Sequence, residues 1–177
     1  MCSSHSARSI RQVLWPTLLL TLGICSLAQA ASDCTQIDVK SAASILGVPT
    51  ARAIGSSAHS KVPPDNTDFL PCGYAEATVD PRARTLSYSI YTPIAKDLAS
   101  VYESVATGNF PRQQAFSPNV GSQSNGWFRS SARDDTFEGY IAMQTGAIVV
   151  VIKIGGMPSS DAVKNALVSA GKMFATS

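Results

Sequence analysis

The chain has 177 residues, of which 45% are hydrophobic and 15% charged, and its formal net charge at pH 7 is +2. Arg8 and Arg11 account for the whole positive excess, because the remaining 12 Lys and Arg are matched by 12 Asp and Glu. The rest of the chain therefore has no net charge and no basic run, so it lacks the electrostatic footprint of a nucleic-acid-binding protein. Nucleic acid is therefore excluded as a partner.

Residues 1–30 predict a cleavable signal peptide. Arg8 and Arg11 form a positive n-region, 13–27 is an apolar h-region, and 28–30 read Ala-Gln-Ala, a cleavage site. A retained membrane anchor is the alternative, but the apolar stretch is shorter than the roughly 20 residues of a spanning helix. The mature protein is thus expected to be exported, periplasmic or extracellular, with no membrane span after cleavage.

A lipoprotein signal is a further alternative for this segment. Leu22 lies three residues before Cys25, but the residue just before that cysteine is Ile24, which is not small. Lipidation at Cys25 is therefore disfavoured. The mature segment 31–177 is long enough to form one domain with its own core.

Two cysteines, Cys34 and Cys72, are left in the mature segment, since Cys2 and Cys25 lie in the signal. A cysteine pair in an exported protein predicts a disulfide. A redox pair is the alternative, but catalytic dithiols are usually adjacent in a C-x-x-C motif. The bond would tie the chain before the first helix to the first strand.

Three helices are predicted. The first begins after Asp38, a favoured N-cap residue, and ends at Gly47. The second carries an apolar stripe from Leu98 and ends at Gly108. One of the serines at 159–160 caps the third, whose core face consists of Val163, Ala166, Leu167, Ala170 and Phe174.

About five strands are predicted between these helices, at 70–78, 85–92, 127–131, 136–144 and 147–154. The last is an apolar run typical of a strand buried on both faces near the middle of a sheet. Segments 48–69 and 110–126 are predicted as surface loops. Because the strands are grouped into hairpins, we expect an α+β domain: a mainly antiparallel sheet with three helices packed on it, in the order α-ββ-α-βββ-α.

One stretch of this pattern resembles a known group of proteins. A cysteine precedes a short helix that ends in Leu46-Gly47, and Cys72-Gly73-Tyr74 opens a strand. The arrangement is similar to small exported bacterial α+β domains of unknown function, including lipid-anchored actinobacterial ones. The resemblance implies a helix-on-sheet sandwich, and it brings no catalytic or binding residues with it.

The residues offer little for catalysis, and no catalytic residue, cofactor or metal site is predicted. The mature segment has one histidine, His59, in a serine-rich loop, and no G-x-S-x-G elbow. One histidine without a free cysteine excludes the usual zinc ligand sets. Asp134, Asp135 and Glu138 could form a weak calcium site but fit a hairpin turn better. The pair at 155–156, Gly-Gly, could cradle an anion but fits a strand-to-helix turn better.

A binding surface is the remaining functional feature. Aromatic and arginine residues, which are enriched at interaction hot spots, lie on or beside the predicted hairpins: Tyr74, Tyr91, Trp127, Phe128, Tyr140, Arg82, Arg84, Arg129 and Arg133. The predicted binding face comprises Tyr91, Trp127, Arg129 and Tyr140. We expect a non-enzymatic exported module that binds a protein or another envelope component. The alternatives are a small carrier of an apolar ligand and a hydrolase that uses His59.

Overall fold

The structure, a computed structural model, describes residues 34–54, 67–106, 113–131 and 134–175. These ranges all fall within the unit that spans 31–177. The predicted signal peptide and its cleavage site lie outside the described residues, as do His59, Gly108 and Arg133.

Seven strands and three helices make up the described chain. In chain order they are α1 (Val39–Leu46), β1 (Ala51–Ile54), β2 (Thr67–Glu76), β3 (Thr85–Pro93), α2 (Leu98–Ala106), β4 (Gln114–Phe116), β5 (Gln123–Ser130), β6 (Phe137–Thr145), β7 (Ile148–Met157) and α3 (Ser160–Ala175). The strands form one sheet in the order β1-β2-β3-β7-β6-β5-β4. Every neighbouring pair of strands is antiparallel.

The predicted count of about five strands, and the order α-ββ-α-βββ-α, are wrong. β1 lies in the segment 48–69 and β4 in 110–126, both predicted as loops, and β5 begins at Gln123 within the second segment. Both missed strands form the outer edges of the sheet and are short and largely exposed. Edge strands are commonly short and polar, so they lack the apolar alternation by which a sequence marks a strand.

The central elements agree with the sequence pattern. β2 pairs with β3, and β5 pairs with β6, as the two predicted hairpins. β7 is the fourth of seven strands, in the middle of the sheet. The predicted N-cap of α1 is confirmed, because the Asp38 carboxylate accepts a 2.6 Å hydrogen bond from the Ser41 amide. Gly47 ends the helix with a φ of 62°, which glycine adopts without strain.

Helices cover the two faces of the sheet unequally. α1 and α3 pack on one face, over a core that includes Tyr88, Ile141 and Ile152. α2 packs on the opposite face, where Val101 and Tyr102 contact a smaller cluster of strand residues. Side chains alternate between the faces along each strand, so both faces carry apolar residues wherever a helix covers them.

The predicted disulfide between Cys34 and Cys72 is confirmed, with a Cα–Cα distance of 5.7 Å. It links the segment before α1 to the middle of β2. The buried Tyr74 supports the same connection, since its hydroxyl donates hydrogen bonds to the carbonyl oxygens of Ile37 and Cys34. The N-terminal segment is therefore attached to the sheet by a covalent bond and by a buried tyrosine.

Candidate functional site

A single row of residues crosses the sheet on the face where α2 packs. The strand register places these residues side by side: Ile54 on β1, Gly73 on β2, Ser87 on β3, Lys153 on β7, Tyr140 on β6 and Trp127 on β5. Members of one such row point to the same face of a sheet. At a strand spacing of about 4.8 Å, the row spans roughly 24 Å from Ile54 to Trp127.

Helix α2 covers only one end of this face. Its cluster includes Tyr91, Val149 and Val151, towards the start of β7. Beyond them, a groove of about 780 Å³ lies over the row and its neighbours, and the described residues that line it belong to β1, β3, β5, β6 and β7, together with Gln113. This volume falls within the range of roughly 300–1,000 Å³ that is common for ligand sites.

Two aromatic side chains form one end of the groove. The rings of Trp127 and Tyr140 stack with their centroids 4.8 Å apart and their planes 23° apart. Tyr140 is buried and Trp127 is partly exposed. Gly139 allows the two strands to approach, because a Cβ atom there would lie 2.7 Å from the Trp127 carbonyl oxygen. Trp127 therefore presents a rigid aromatic surface to the groove.

Small residues keep the floor of the groove low. A Cβ atom on Gly155 would lie 3.2 Å from the Thr85 hydroxyl and 3.9 Å from the Glu138 Cβ atom, so the space above Gly155 separates these two side chains. At the other end, the Ile54 side chain lies across Gly73, where a Cβ atom would be 3.0 Å from the Ile54 Cγ1 atom. The groove therefore has an aromatic end, a low polar floor and an aliphatic end.

Three charged side chains line the groove. Arg129 forms a hydrogen-bonded ion pair with Glu138, its partner across β5 and β6. Lys153 lies between Ser87 and Tyr140 in the row. The charge of Arg129 is thus balanced by that of Glu138, and Lys153 is the third charged residue of the described lining.

The structure brings together three of the four residues of the predicted binding face. Trp127, Arg129 and Tyr140 all line the groove. Tyr91 does not: only 3% of it is exposed, beneath α2, where its ring lies 5.1 Å from that of Phe69. Burial raises the pKa of the Tyr91 hydroxyl, as expected for a phenol removed from water.

The three carboxylates near the β5–β6 turn have different surroundings and do not form one site. Asp134 accepts a hydrogen bond from the Thr136 hydroxyl at 2.8 Å, and hydrogen bonds from Ser131 and Thr136 lower the pKa of its carboxyl. Asp135 has a φ of 52°, which is typical of a turn. Glu138 faces the groove. Among the described residues, no three His, Cys, Asp or Glu side chains are arranged to hold a metal ion.

The sequence predicts that the glycine pair at 155–156 forms a turn before the last helix, and this prediction is wrong. Both residues belong to β7, and α3 begins only at Ser160. Gly156 has a φ of 75°, and a Cβ atom there would lie 3.0 Å from the backbone carbonyl oxygens of Arg82 and Ala83. This pair therefore brings β7 close to the chain before β3 and keeps the groove floor free of side chains.

Sequence reasoning missed Lys153, Ser87 and Ile54 as lining residues. Lys153 interrupts the apolar run 147–154, and this charge contradicts burial of both faces along the whole strand. The charge of Lys153 was the one feature of this run in the sequence that indicated an open surface above a central strand. Ser87 and Ile54 gave no such signal, since only the register places them in the same row.

Comparison with known proteins assigns no family to this chain. No protein-family description matches it, and no curated protein matches it. Among solved structures it is similar to LpqN of Mycobacterium tuberculosis, described as involved in cell envelope biogenesis. The two are 15% identical over 72% of this chain and 88% of that one, with a TM-score of 0.31. Within the part of the chain that the structure describes, no helix is long and apolar enough to span a bilayer.

Proposed function

We propose that this protein is an exported, non-enzymatic binding module and that the groove on the α2 face of its sheet is the ligand site. The observation that carries the proposal is the groove itself, which joins a stacked aromatic pair, an ion pair and a central lysine over a floor of small residues. Sites for small molecules and glycans are commonly concave, with apolar surfaces and a few convergent polar groups.

The disulfide supports the exported part of the proposal. Disulfides persist in oxidising compartments and are rare in the cytosol. The Cys34–Cys72 bond is therefore expected in a protein that leaves the cytoplasm. Intact mass measured on the exported protein should begin at Ala31, whereas recovery of the full-length chain in the membrane would contradict cleavage of the signal.

The lining favours a binding module over a carrier of apolar ligands. A carrier would need an apolar cavity between the helices and the sheet, whereas the groove lies beside α2 and its lining includes six polar or charged side chains: Thr85, Ser87, Gln113, Arg129, Glu138 and Lys153. Burying these groups against an apolar ligand would cost free energy, because their hydrogen bonds to water would be lost.

The test is capture of envelope components on immobilised protein. We compare the wild type with two groove variants: Gly155→Val, which fills the floor, and Trp127→Ala, which removes the aromatic surface. Ile94→Ala is the matched control, since Ile94 is 65% exposed and is not part of the groove lining. Retained molecules are identified by mass spectrometry.

The wild type and the Ile94→Ala control should retain a component that both groove variants lose. A Trp127→Ala substitution at a hot spot commonly costs about 2 kcal/mol of binding free energy, or roughly thirtyfold in affinity. The same experiment with His59→Ala should show no change. Equal retention by all variants would contradict the groove as the site, and loss of activity only in His59→Ala would instead support the hydrolase.

A further inference from the structure

We propose that the groove binds one amphipathic helix of a partner protein, which lies along the row beside α2. This inference rests on the proposed function, because it names the class of ligand for the same site. Three properties of the groove carry it: its face of the sheet has fewer helices than the other, its floor offers no bonds to a peptide backbone, and its charged side chains lie on the side away from α2.

The two faces of the sheet are covered by different numbers of helices. On one face α1 packs on β1, β2 and β3, α3 packs on β5, β6 and β7, and the two helices contact each other. On the groove face, the described part of the chain provides α2, which packs on β3, β6 and β7. Most of the surface that lines the groove beside α2 is apolar, and such a surface is stabilised when a helix covers it. A second helix beside α2 would therefore complete this layer.

The floor of the groove requires an occupant that forms its own backbone hydrogen bonds. A peptide that binds by strand addition needs an unpaired strand edge, but β3 and β7 are each paired on both sides. An extended peptide would therefore bury its N–H and C=O groups against a mainly apolar lining, at a cost in free energy. A helix satisfies these groups internally. The helix is thus the peptide conformation that suits this floor.

The floor is also open to solvent, which favours a helix over an acyl chain. Thr85 is exposed, and Ser87, Lys153 and Gly155 are half-buried. An acyl chain on this floor would leave one side of its apolar surface in water. An amphipathic helix buries its apolar stripe and keeps its polar face in water.

Apolar and charged side chains are distributed unequally across the groove. The first row carries the large apolar side chains of Ile54, Tyr140 and Trp127, together with Ser87 and Lys153. A second row crosses the same face further from α2 and carries three charged residues; it consists of Arg52, Ala75, Thr85, Gly155, Glu138 and Arg129. The apolar stripe of a bound helix would therefore face the first row, and its polar flank would face the second.

Arg52 supplies the charge that a partner can match. Arg129 is paired with Glu138, whereas Arg52 is exposed and forms no ion pair with another described residue. Arg52 lies two residues before Ile54, at the aliphatic end of the groove. An acidic residue on the polar flank of the helix, at this end, would complement it. The partner segment should thus have apolar residues at i, i+3 or i+4 and i+7, with Asp or Glu beside them.

Photo-crosslinking from the two ends of the row tests this inference. The protein carries photoreactive p-benzoylphenylalanine in place of either Ile54 or Trp127, is mixed with the envelope extract and irradiated, and the cross-linked peptides are sequenced by mass spectrometry. The row is roughly 24 Å long, so a helix should be cross-linked at two sites about 16 residues apart, and an extended chain at sites about 7 residues apart. The same group in place of the exposed Ile94 is the control and should not cross-link this segment.

Substitutions then relate the cross-link to the groove. Gly155→Val, combined with the photoreactive group at position 54, should reduce the cross-link yield about tenfold, because it fills the floor. Arg52→Glu, combined with the group at position 127, should reduce the yield about threefold at low salt, and the difference should shrink as salt is raised. Gln113 also lines the groove and replaces Trp127 as the photoreactive position if that substitution prevents folding.

Three results would overturn the inference. Cross-linked sites about 7 residues apart would show an extended chain. Cross-links to a lipid or a saccharide would exclude a protein helix, and cross-links to this chain itself would make its own residues or a second copy the occupant. The proposed function is decided separately, because loss of captured components in Gly155→Val does not depend on what the occupant is.

Discussion

Removal of the disulfide gives the most quantitative prediction for the fold. Cys34 and Cys72 are separated by 38 residues in sequence. In the chain-entropy account, a bond that closes a loop of this length stabilises the folded state by about 4 kcal/mol, because it restricts the unfolded chain. Cys34→Ser is the suitable change, since Cys34 is exposed and its replacement leaves no cavity in the core.

Urea unfolding followed by far-ultraviolet circular dichroism measures the effect. With a denaturant dependence of about 2 kcal/mol per molar urea, a loss of about 4 kcal/mol moves the unfolding midpoint down by about 2 M. The variant should remain folded without urea, because the Tyr74 hydroxyl still holds the N-terminal segment through the Ile37 carbonyl oxygen.

Reduced wild-type protein is the control and should unfold at nearly the same urea concentration as Cys34→Ser. Agreement between the two would show that the serine itself has little effect. A decrease in the midpoint of less than about 0.5 M would refute the reasoning, because it would mean that the unfolded chain is already restricted without the bond.

Three further predictions concern buried or capping groups. Tyr74→Phe should lower the free energy of unfolding by about 1–2 kcal/mol, since it leaves the buried Ile37 carbonyl oxygen without the hydroxyl donor of Tyr74. Tyr102→Phe should be neutral or slightly stabilising in the same urea titration, because the buried Tyr102 hydroxyl has no hydrogen-bond partner in the described structure. Gly139→Ala should cost about 1–3 kcal/mol in thermal unfolding, because its Cβ atom would lie 2.7 Å from the Trp127 carbonyl oxygen and 3.1 Å from the Leu167 Cδ1 atom of α3. The hydrogen bond from the α1 backbone lowers the pKa of the Asp38 carboxyl. The stabilisation from this carboxylate is therefore present above its pKa in the unfolded chain and is lost as the pH falls through its pKa in the folded protein. Below about pH 4, the melting temperature of Asp38→Asn should therefore fall less steeply than that of the wild type.

The core of the fold could be predicted because its signals are local. The apolar run of β7 indicated a central strand, and Asp38 and Gly47 marked the ends of α1. β1 and β4 could not be predicted in the same way, since a short edge strand is stabilised by the neighbour with which it pairs rather than by its own pattern.

The candidate site was only partly predictable for a related reason. Trp127, Arg129 and Tyr140 lie on one hairpin, so local alternation was enough to group them. Tyr91 lies on the same face, but whether α2 covers it depends on where that helix packs, and no local pattern encodes this. Lys153 joins the site because β7 pairs with β6, a contact that follows from the topology of the sheet.

Chemical-shift mapping by nuclear magnetic resonance tests the central claim that the groove is the binding site. The exported protein, labelled with ¹⁵N, is titrated with the component that the wild type retains from the envelope extract. The account predicts that the largest amide shifts follow the row across the sheet, at Ser87, Lys153, Tyr140 and Trp127. Shifts confined to α1 and α3, on the opposite face, would contradict it.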